Sequence, residues 1–409
     1  MKFTSAVRRA YLDLGIISLC HGLSDGFNGV LAPVLALIVI EFGLAESQAG
    51  LLLSLPGVAT FLLILPVSVI ADFRGRRLEL FVAGLALAAG AHFSMMQAGS
   101  FGVLLALAFL GRSGNAVFHP CATALVAERF PGRRALAISV FGIAGNIGAT
   151  AMPLIQGLIA GSGGWRLSIA VFSIPLALLL PLIWIRYRRV QSDQPHLGRT
   201  TPALAGTSVL PGSLQLTRKV FANRSVVGLG ATYALTAVAA KSSAGFLPLL
   251  AVRRFGMSPA AIGLMVALYY ASGVAFKAMA VLLYRRLGTG SALRIPLALS
   301  IAAVLGMAVA PSAAVLVLLA AVAGLANSIS PIVLAAAADR CEPSALTSSI
   351  GLIYWLHSLW FLGPLLAGAI ANDLGLVWVY VFSAVVFAAA AGASSVVGPQ
   401  RARSRRGLL

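Results

Sequence analysis

The sequence predicts an all-α membrane protein with twelve transmembrane helices, arranged in two pseudo-symmetric halves of six helices each. Three observations predict this fold class. Hydrophobic residues make up 59% of the 409 residues and charged residues only 10%, and the mean hydropathy is +0.96. Apolar runs of about 20 residues or more, the length that crosses a bilayer, follow one another along the chain. An internal repeat relates the first half of the chain to the second.

The apolar runs predict twelve spans. The first is too long and too polar for a cleavable signal peptide. Six spans precede a polar segment that contains no spanning run, and six follow it. In order, the spans cover residues 13–40, 47–71, 78–98, 101–127, 135–160, 166–186, 225–252, 259–284, 292–310, 313–338, 346–371 and 376–397.

The distribution of Lys and Arg predicts how the spans are oriented. Loops on one side hold 24 of the 30 Lys and Arg residues, whereas the other side holds only Arg166, Arg253 and Arg254. Because basic loops stay in the cytoplasm, we expect a multi-pass protein of the cell (inner) membrane with both termini inside. The net charge of +19 then reflects topology, and no nucleic-acid partner is expected.

Matching residues at a nearly constant offset relate the two halves. The offset is 213 residues early in each half and 211 residues further on. The matched pairs include Gly50 and Gly263, Gly75 and Gly288, Pro153 and Pro364, and Gly157 and Gly368. We therefore predict a first half at residues 1–186, a cytoplasmic linker at 187–223 and a second half with a basic tail at 224–409.

Spans 1 and 4 each carry three polar residues on one helical face. In span 1 these are His21, Asp25 and Asn28, and in span 4 they are Arg112, Asn115 and His119. An ionisable group in a span costs about 2.5–3.5 kcal/mol on insertion scales, so it is a functional candidate. By helix rise, Asp25 and Arg112 both lie near the midplane, where they can pair.

These residues favour proton handling. Burial favours a neutral Asp25 whereas Arg112 favours the carboxylate, and a change in the cavity can shift that balance. We predict that Asp25, Arg112, His21 and His119 couple protons to transport. The alternative is a buried ion pair that only fixes helix packing.

The second half contributes a cation to the same region. Lys241 maps onto Asn28 in the repeat, and no deep acid in spans 7–12 can pair with it, so it suits an anionic substrate. The alternative is that Lys241 pairs with Asp25 across the halves. His357 lies among aromatic residues of span 11 that can stack on a ring or simply pack. The predicted substrate-binding residues are Asn28, Asn115, Lys241, Tyr270, His357 and Trp360.

The turn between spans 2 and 3 concentrates charge and completes a resemblance. Twelve spans, the repeat and this turn resemble the major facilitator superfamily over nearly the whole chain. The motif Gly-x-Leu-Ala-Asp-Arg-x-Gly-Arg-Lys of that family is matched by Ile70, Ala71, Asp72, Gly75, Arg76 and Arg77, with departures at Ser68 and Phe73. The resemblance implies that Asp72, Gly75, Arg76 and Arg77 form a latch between the halves on the cytoplasmic side.

Within this superfamily the sequence most resembles fosmidomycin-resistance-type efflux transporters. The supporting motifs are His21-x-x-x-Asp25 with Pro33, Phe42-Gly43-Leu44 before Gln48-x-Gly50, Phe118-His119-Pro120, and Gly145-Asn146-x-Gly148. Span 5 also resembles the antiporter signature of the superfamily at Gly148, Pro153 and Gly157, although Ser139, Met152 and Gln156 replace other glycines. The resemblance implies helix bending at Gly148, Pro153 and Pro364, and it leaves antiport and symport open.

The leading hypothesis is a monomeric secondary transporter that exports a small compound, which the cavity cations suggest is an anion, in exchange for protons. The alternatives are a proton symporter that imports an organic anion and a non-transporting membrane receptor. An enzyme is not expected, because the sequence contains no phosphate-binding loop and no nucleophile or metal-ligand constellation. The proton gradient supplies the energy, the bilayer is the surrounding partner, and no cofactor or metal is expected.

Overall fold

The computed structural model describes residues 5–74, 77–130, 133–193, 221–341 and 346–397. Within these ranges the chain forms α-helices joined by turns and short 3₁₀ segments, and it forms no strand. The predicted all-α fold class is confirmed.

The helices follow the predicted spans. In chain order they are Ser5–Phe27, Leu35–Phe42, Glu46–Arg74, Arg77–Ser94, Phe101–Arg129, Arg134–Asp193, Arg224–Phe255, Pro259–Ala308, Ala313–Ala323, Ser330–Arg340, Leu346–His357, Leu362–Leu374 and Val377–Ala393. The 3₁₀ segments are Met95–Gln97, Gly324–Ile329, Ser358–Phe361 and Ser394–Val396. The helix of span 6 continues to Asp193, into the predicted linker, and residues 194–220 lie outside the described ranges. The division at 187–223 therefore stays a prediction.

Ten stretches of the described chain are long and apolar enough to cross a membrane. One of them, Leu136–Arg186, contains both span 5 and span 6. Span 1 is not among the ten, since it is divided between a helix that carries polar residues and a helix of only eight residues. With these two facts taken into account, the described chain contains the twelve predicted spans.

Two glycines make the tight turns between long helices possible. Gly164 joins spans 5 and 6 with φ 73°, and Gly288 joins spans 8 and 9 with φ 79°. A residue with a Cβ rarely adopts this left-handed conformation, so glycine is required at both positions.

Span 1 is not the continuous helix that the sequence predicts for residues 13–40. Its first helix ends at Phe27 and the next begins at Leu35, and residues 28–34 form successive turns. Pro33 contributes to this break, because proline has no N–H to donate and its ring crowds the preceding turn. Interrupted backbone inside a membrane protein needs other partners, and the Val30 carbonyl accepts a hydrogen bond from Gln156 Nε2 at 2.7 Å.

The two halves meet closely on the face opposite the basic loops, which we call the outer face. A Cβ added to Gly50 of span 2 would lie 2.8 Å from the Cα of Gly368 in span 11. A Cβ added to Gly157 of span 5 would lie equally close, at 2.8 Å, to the Cα of Gly263 in span 8. Small residues let helix backbones approach in this way. The repeat maps Gly50 onto Gly263 and Gly157 onto Gly368, so it also relates one contact to the other.

Ion pairs lie at the same outer face. Glu46 at the start of span 2 forms a salt bridge with Arg253 at the end of span 7, which links the halves. Glu41 accepts hydrogen bonds from Arg166 and from Trp165 Nε1 within the first half. The contact with Arg166 holds the pKa of the Glu41 carboxyl below its usual value. Packing and charge together close the outer face in this conformation.

The predicted latch lies mostly beyond what the structure describes. Gly75, Arg76 and the side chain of Asp72 are outside the described part of the chain. Arg77 is buried and forms a salt bridge with Glu128 at the end of span 4. That contact lies within the first half, and the latch itself stays a prediction.

Candidate functional site

A cavity of about 60 Å³ lies between the two halves, with room for a few water molecules or a small anion. Spans 1 to 4 line it from the first half, and spans 7, 8 and 11 line it from the second. The polar residues that line it are Asn28, His92, Arg112, Asn115, Lys241, Tyr270 and Trp360. The described residues that line the cavity include no Asp or Glu.

Asp25 lies between two histidines. Its Oδ2 is 3.2 Å from His21 Nε2, and its Oδ1 is 3.1 Å from His119 Nε2. His21 precedes Asp25 by one helical turn, so both lie on the same face of span 1. Gly145 of span 5 covers them, and a Cβ there would lie 2.4 Å from Asp25 Oδ2. Three of the predicted proton-coupling residues are therefore in contact, and we call His21, Asp25 and His119 the proton centre.

The contacts of His21 leave one proton to be shared with Asp25. His21 Nδ1 is 2.7 Å from the carbonyl oxygen of Phe141, which can only accept, so Nδ1 carries a hydrogen. His21 Nε2 then faces Asp25 Oδ2 either as the second N–H of an imidazolium or as the acceptor of a protonated carboxyl. Stacking of the imidazole on Phe141, with ring centroids 3.8 Å apart, fixes this orientation. One proton can thus move between the two side chains without a change in their positions.

Asn28 separates Asp25 from Arg112, two residues that the sequence places near the midplane, where they could pair. Asn28 Nδ2 donates to Asp25 Oδ1 at 2.8 Å, and Asn28 Oδ1 accepts from Arg112 Nη1. Among the described residues, the salt bridges of Asp25 are those with His21 and His119. A direct pair of Asp25 and Arg112 is therefore wrong for this conformation. The physical reason is the turn at Asn28, which directs its amide toward Arg112.

Arg112 and Lys241 face the same indole ring. Arg112 Cζ is 5.7 Å and Lys241 Nζ is 5.6 Å from the centre of the Trp360 ring. Lys241 Nζ is also 3.5 Å from the hydroxyl of Tyr270. The described part of the chain has no salt bridge between Lys241 and Asp25, so the alternative pair across the halves is absent from this conformation. We call Arg112, Lys241, Tyr270 and Trp360 the cation pocket.

The two remaining substrate candidates differ in position. Asn115 is 1% exposed and lines the cavity, and its Nδ2 donates to Asn28 Oδ1 at 2.7 Å. Its Oδ1 is buried and has no hydrogen-bond partner among the residues that the structure describes, so it is available to a ligand donor or a water molecule. His357 stacks on Tyr233 with ring centroids 4.0 Å apart and is not among the residues that line the cavity. A substrate role for His357 stays a prediction.

Several contacts that build the site are not evident from the sequence alone. Arg112 Nε donates to Thr60 Oγ1 at 2.7 Å, and a hydroxyl in the middle of span 2 was the only available signal. Lys277 Nζ donates to Asn146 Oδ1 at 3.1 Å and so connects span 8 to span 5. Partners of this kind depend on which helices are neighbours, and a single span does not contain that information.

The predicted helix-bending residues lie at helix contacts and helix ends. A Cβ on Gly148 would lie 1.8 Å from the carbonyl oxygen of Gly22, so spans 1 and 5 cross there. Pro153 lies within a helix whose non-helical residue is Gly164, eleven residues further on. Pro364 occupies the first turn of the helix that follows the 3₁₀ segment Ser358–Phe361, where proline is tolerated. Their role in bending stays a prediction.

The proton centre is also the group among the described residues that comes nearest to a metal site. Its three side chains could each offer one ligand atom, all within 4.8 Å of one another. However, both oxygens of Asp25 already accept hydrogen bonds, and Arg112 and Lys277 interact with it electrostatically. Nearby cations disfavour a bound dication. We interpret the trio as a hydrogen-bonded proton centre rather than as metal ligands.

Comparison with known proteins identifies relatives of this chain. The family model of the Major Facilitator Superfamily matches residues 17–240 and 229–407. The Fosmidomycin resistance protein of Escherichia coli K12 is 29% identical over 208 residues, which are 51% of this chain and 50% of that protein. The Probable nitrate transporter NarT of Staphylococcus aureus is 27% identical over 157 residues, 38% of this chain and 40% of that protein. The chain thus spans half or less of the length of these relatives in the matched regions.

Solved structures resemble the whole fold. A bacterial homologue of the human lysosomal transporter Spinster, in an inward-facing and unoccupied conformation, superposes with a TM-score of 0.79 and 19% identity, covering 95% of this chain and 98% of that chain. The nucleoside transporter NupG superposes with a TM-score of 0.75 and 13% identity, covering 95% and 100%. At these identities the likeness concerns the fold alone.

Proposed function

Because the chain belongs to the Major Facilitator Superfamily, we propose that it is a secondary active transporter that exports a small organic anion in exchange for protons. Membership of this family agrees with the prediction that the chain is not an enzyme. We further propose that it acts as a monomer in the cell membrane with its basic face in the cytoplasm, as the positive-inside rule predicts.

The observation that carries the proposal is the charge of the cavity. Arg112 and Lys241 flank one aromatic ring in a cavity whose described lining includes no acid. A buried cation without a counter-ion is costly, so an anion is expected to balance these charges for part of the transport cycle. The guanidinium can bind a carboxylate or a phosphonate through paired N–H groups, and the ammonium adds a point charge.

Proton coupling is supported by the contacts of the proton centre. His21 and Asp25 share one proton across a 3.2 Å contact. If a further proton binds to either atom of that contact, both atoms carry hydrogens, and the side chains would have to separate. The centre can therefore change its structure as well as its charge when it binds a proton, which is what coupling to a conformational change requires.

The direction of transport is proposed from the similarity to the Fosmidomycin resistance protein, because removal of a compound from the cell is one way to resist it. Closure of the outer face by Gly50, Gly157, Gly263 and Gly368 is compatible with loading from the basic face. Rocking of the halves would then release the anion outside, where a proton enters. The same events in the reverse order would import the anion.

A second candidate is a symporter that imports an anion together with a proton. One observation favours it: a proton bound at Asp25 adds positive charge close to Arg112, with only Asn28 between them. Added positive charge strengthens the binding of an anion, and mutual strengthening is typical of symport. The similarity to the Probable nitrate transporter NarT agrees with an anion as the cargo.

The test uses methylphosphonate, benzoate and nitrate as labelled probes in everted membrane vesicles with an acidic interior. Export by antiport predicts that at least one anion accumulates. Lys241→Met should abolish that accumulation, whereas Lys241→Arg, which keeps the charge, should retain much of it. If neutral or cationic compounds accumulate instead, and Lys241→Met has no effect, the anion proposal is wrong.

Proton counting separates the two candidates. Binding of the anion to purified protein in weakly buffered detergent solution should release protons if the protein is an antiporter. It should take up protons if the protein is a symporter. The sign of the pH change therefore decides the direction, independently of vesicle orientation.

A further inference from the structure

We infer that Asn28 transmits the protonation state of the proton centre to the cation pocket. The inference rests on the proposed function in one respect, since it assigns a coupling role within the proposed transport site. Among the described residues, Asn28 is the only one that hydrogen-bonds to both Asp25 and Arg112.

The hydrogen bonds of Asn28 determine how its amide is oriented. Asn28 Oδ1 accepts from Arg112 Nη1 and from Asn115 Nδ2, the latter at 2.7 Å, and Asn28 Nδ2 donates to Asp25 Oδ1 at 2.8 Å. The reversed amide would direct its N–H group at the guanidinium of Arg112 and its oxygen at the carboxyl of Asp25. The amide therefore donates to Asp25 through Nδ2 and accepts from Arg112 through Oδ1. A change at Asp25 acts first on Nδ2, and it reaches Oδ1, the atom that contacts Arg112, through the amide group.

The strength of one hydrogen bond depends on the charge at the other end. A carboxylate accepts a stronger bond than a neutral carboxyl, because the interaction is charge-assisted. An ionised Asp25 also polarises the amide of Asn28 and makes its oxygen a better acceptor for Arg112. Protonation of Asp25 reverses both effects, so the guanidinium of Arg112 becomes freer to move within the cavity.

The backbone around Asn28 permits such movement. Asn28 is the first residue after the helix Ser5–Phe27, and its N–H bonds to the Asp25 carbonyl at 3.2 Å in a turn. The segment 28–34 does not belong to a continuous helical ladder, so a shift of Asn28 disturbs few backbone hydrogen bonds. Interruptions of this kind line substrate sites in other transporters built from repeats.

Other charged groups also surround Asp25, but their contacts differ. His21 and His119 bond to its carboxyl, Arg112 acts through Asn28, and Lys277 of span 8 interacts with it from the second half while its Nζ bonds to Asn146. The histidines do not line the cavity, and neither does Lys277. Within the described ranges, Asn28 thus provides the only direct hydrogen-bonded path from the carboxyl to the guanidinium.

The experiment reads the position of Arg112 from the fluorescence of Trp360, whose ring lies 5.7 Å from Arg112 Cζ. Purified protein without any substrate is titrated between about pH 5 and pH 9, a range that includes the ordinary pKa of a free histidine side chain. Each protein is also measured with Trp360→Phe, and the difference isolates the signal of Trp360. The variants are Asn28→Leu, which removes the amide at similar volume, and Asp25→Asn.

The control is Asn327→Leu, which removes another half-buried amide, one that bonds to the Gly324 carbonyl and does not line the cavity. We expect a pH-dependent step in the unmodified protein and in the control, and loss of the step in Asn28→Leu and in Asp25→Asn.

If Asn28→Leu does not fold, Asn28→Ser provides the same test, because its hydroxyl is too short to contact both partners. An equal step in the Asn28 variant and the control, or no step in the unmodified protein, would overturn the inference. Since no substrate is used, a failure to transport anions would refute the proposed function without changing this result.

Discussion

Gly157 and Gly263 approach so closely that a Cβ on either residue would lie 2.8 Å or 2.9 Å from the Cα of the other. They belong to different halves, and the repeat relates their contact to that of Gly50 with Gly368. The outer face is thus closed by two crossings of the same kind. In this conformation, opening that face requires both crossings to separate.

We predict that Gly157→Val shifts the protein toward a conformation that is open at the outer face. Extra methyl groups in a tight contact cost about 1–3 kcal/mol, and such a difference changes a conformational equilibrium roughly 5- to 150-fold. The shift can be measured by the labelling rate of a Leu53→Cys probe in the cavity, with an impermeant maleimide added outside. Gly161→Val is the matched control, because Gly161 lies one turn further along and has no atom within 4 Å of its added Cβ. Equal labelling of the two variants would contradict this role of the crossing.

We predict that Asp25→Asn abolishes transport driven by a pH gradient but preserves exchange of labelled for unlabelled anion at equal pH. The amide cannot take up the proton that the centre shares between His21 and Asp25, yet all four side chains of the cation pocket are retained. Proteoliposomes allow both measurements on one preparation. Asp373→Asn, at an exposed position near the end of span 11, should behave like the unmodified protein. Full gradient-driven activity in Asp25→Asn would exclude Asp25 as the coupling residue.

Asp13 has a structural role that the sequence analysis did not assign. It is fully buried near the start of span 1 and pairs with Arg129 at 3.0 Å and with Arg186. Removal of one partner from a buried pair typically costs about 3–5 kcal/mol, because it leaves an uncompensated charge. We predict that Asp13→Asn lowers the unfolding temperature in detergent much more than Asp373→Asn does. A small, similar decrease in both variants would show that the two arginines find other partners.

Some of the site could be predicted because helical periodicity alone places residues on one face. The spacing of His21, Asp25 and Asn28 implies a common face of span 1. In the structure, His21 and Asn28 both contact the carboxyl group of Asp25. The repeat likewise matches Gly50 with Gly263 and Gly157 with Gly368, although it does not predict that these glycines meet across the halves. These features are local, so they depend only on the helix geometry of one span or on a comparison of two spans.

The contacts across the halves could not be predicted in the same way. The sequence suggested that Asp25 pairs with Arg112 or Lys241, but it is Asn28 that lies between Asp25 and Arg112. Lys277 of span 8 donates a hydrogen bond to Asn146 of span 5, in the other half. A rotation of one helix by a fraction of a turn changes such partners, and nothing in the spacing of a single span reports that rotation.

The sequence by itself determined the number of spans, their predicted orientation and the two-half architecture. These follow from the cost of exposing polar backbone and charge to lipid, which acts on every span separately. Only the tertiary structure decided that span 1 breaks at residues 28–34 and that the Trp360 ring faces both cations of the cavity. Both depend on side chains from several spans meeting in one place, where Gln156 satisfies a freed carbonyl and the indole faces Arg112 and Lys241.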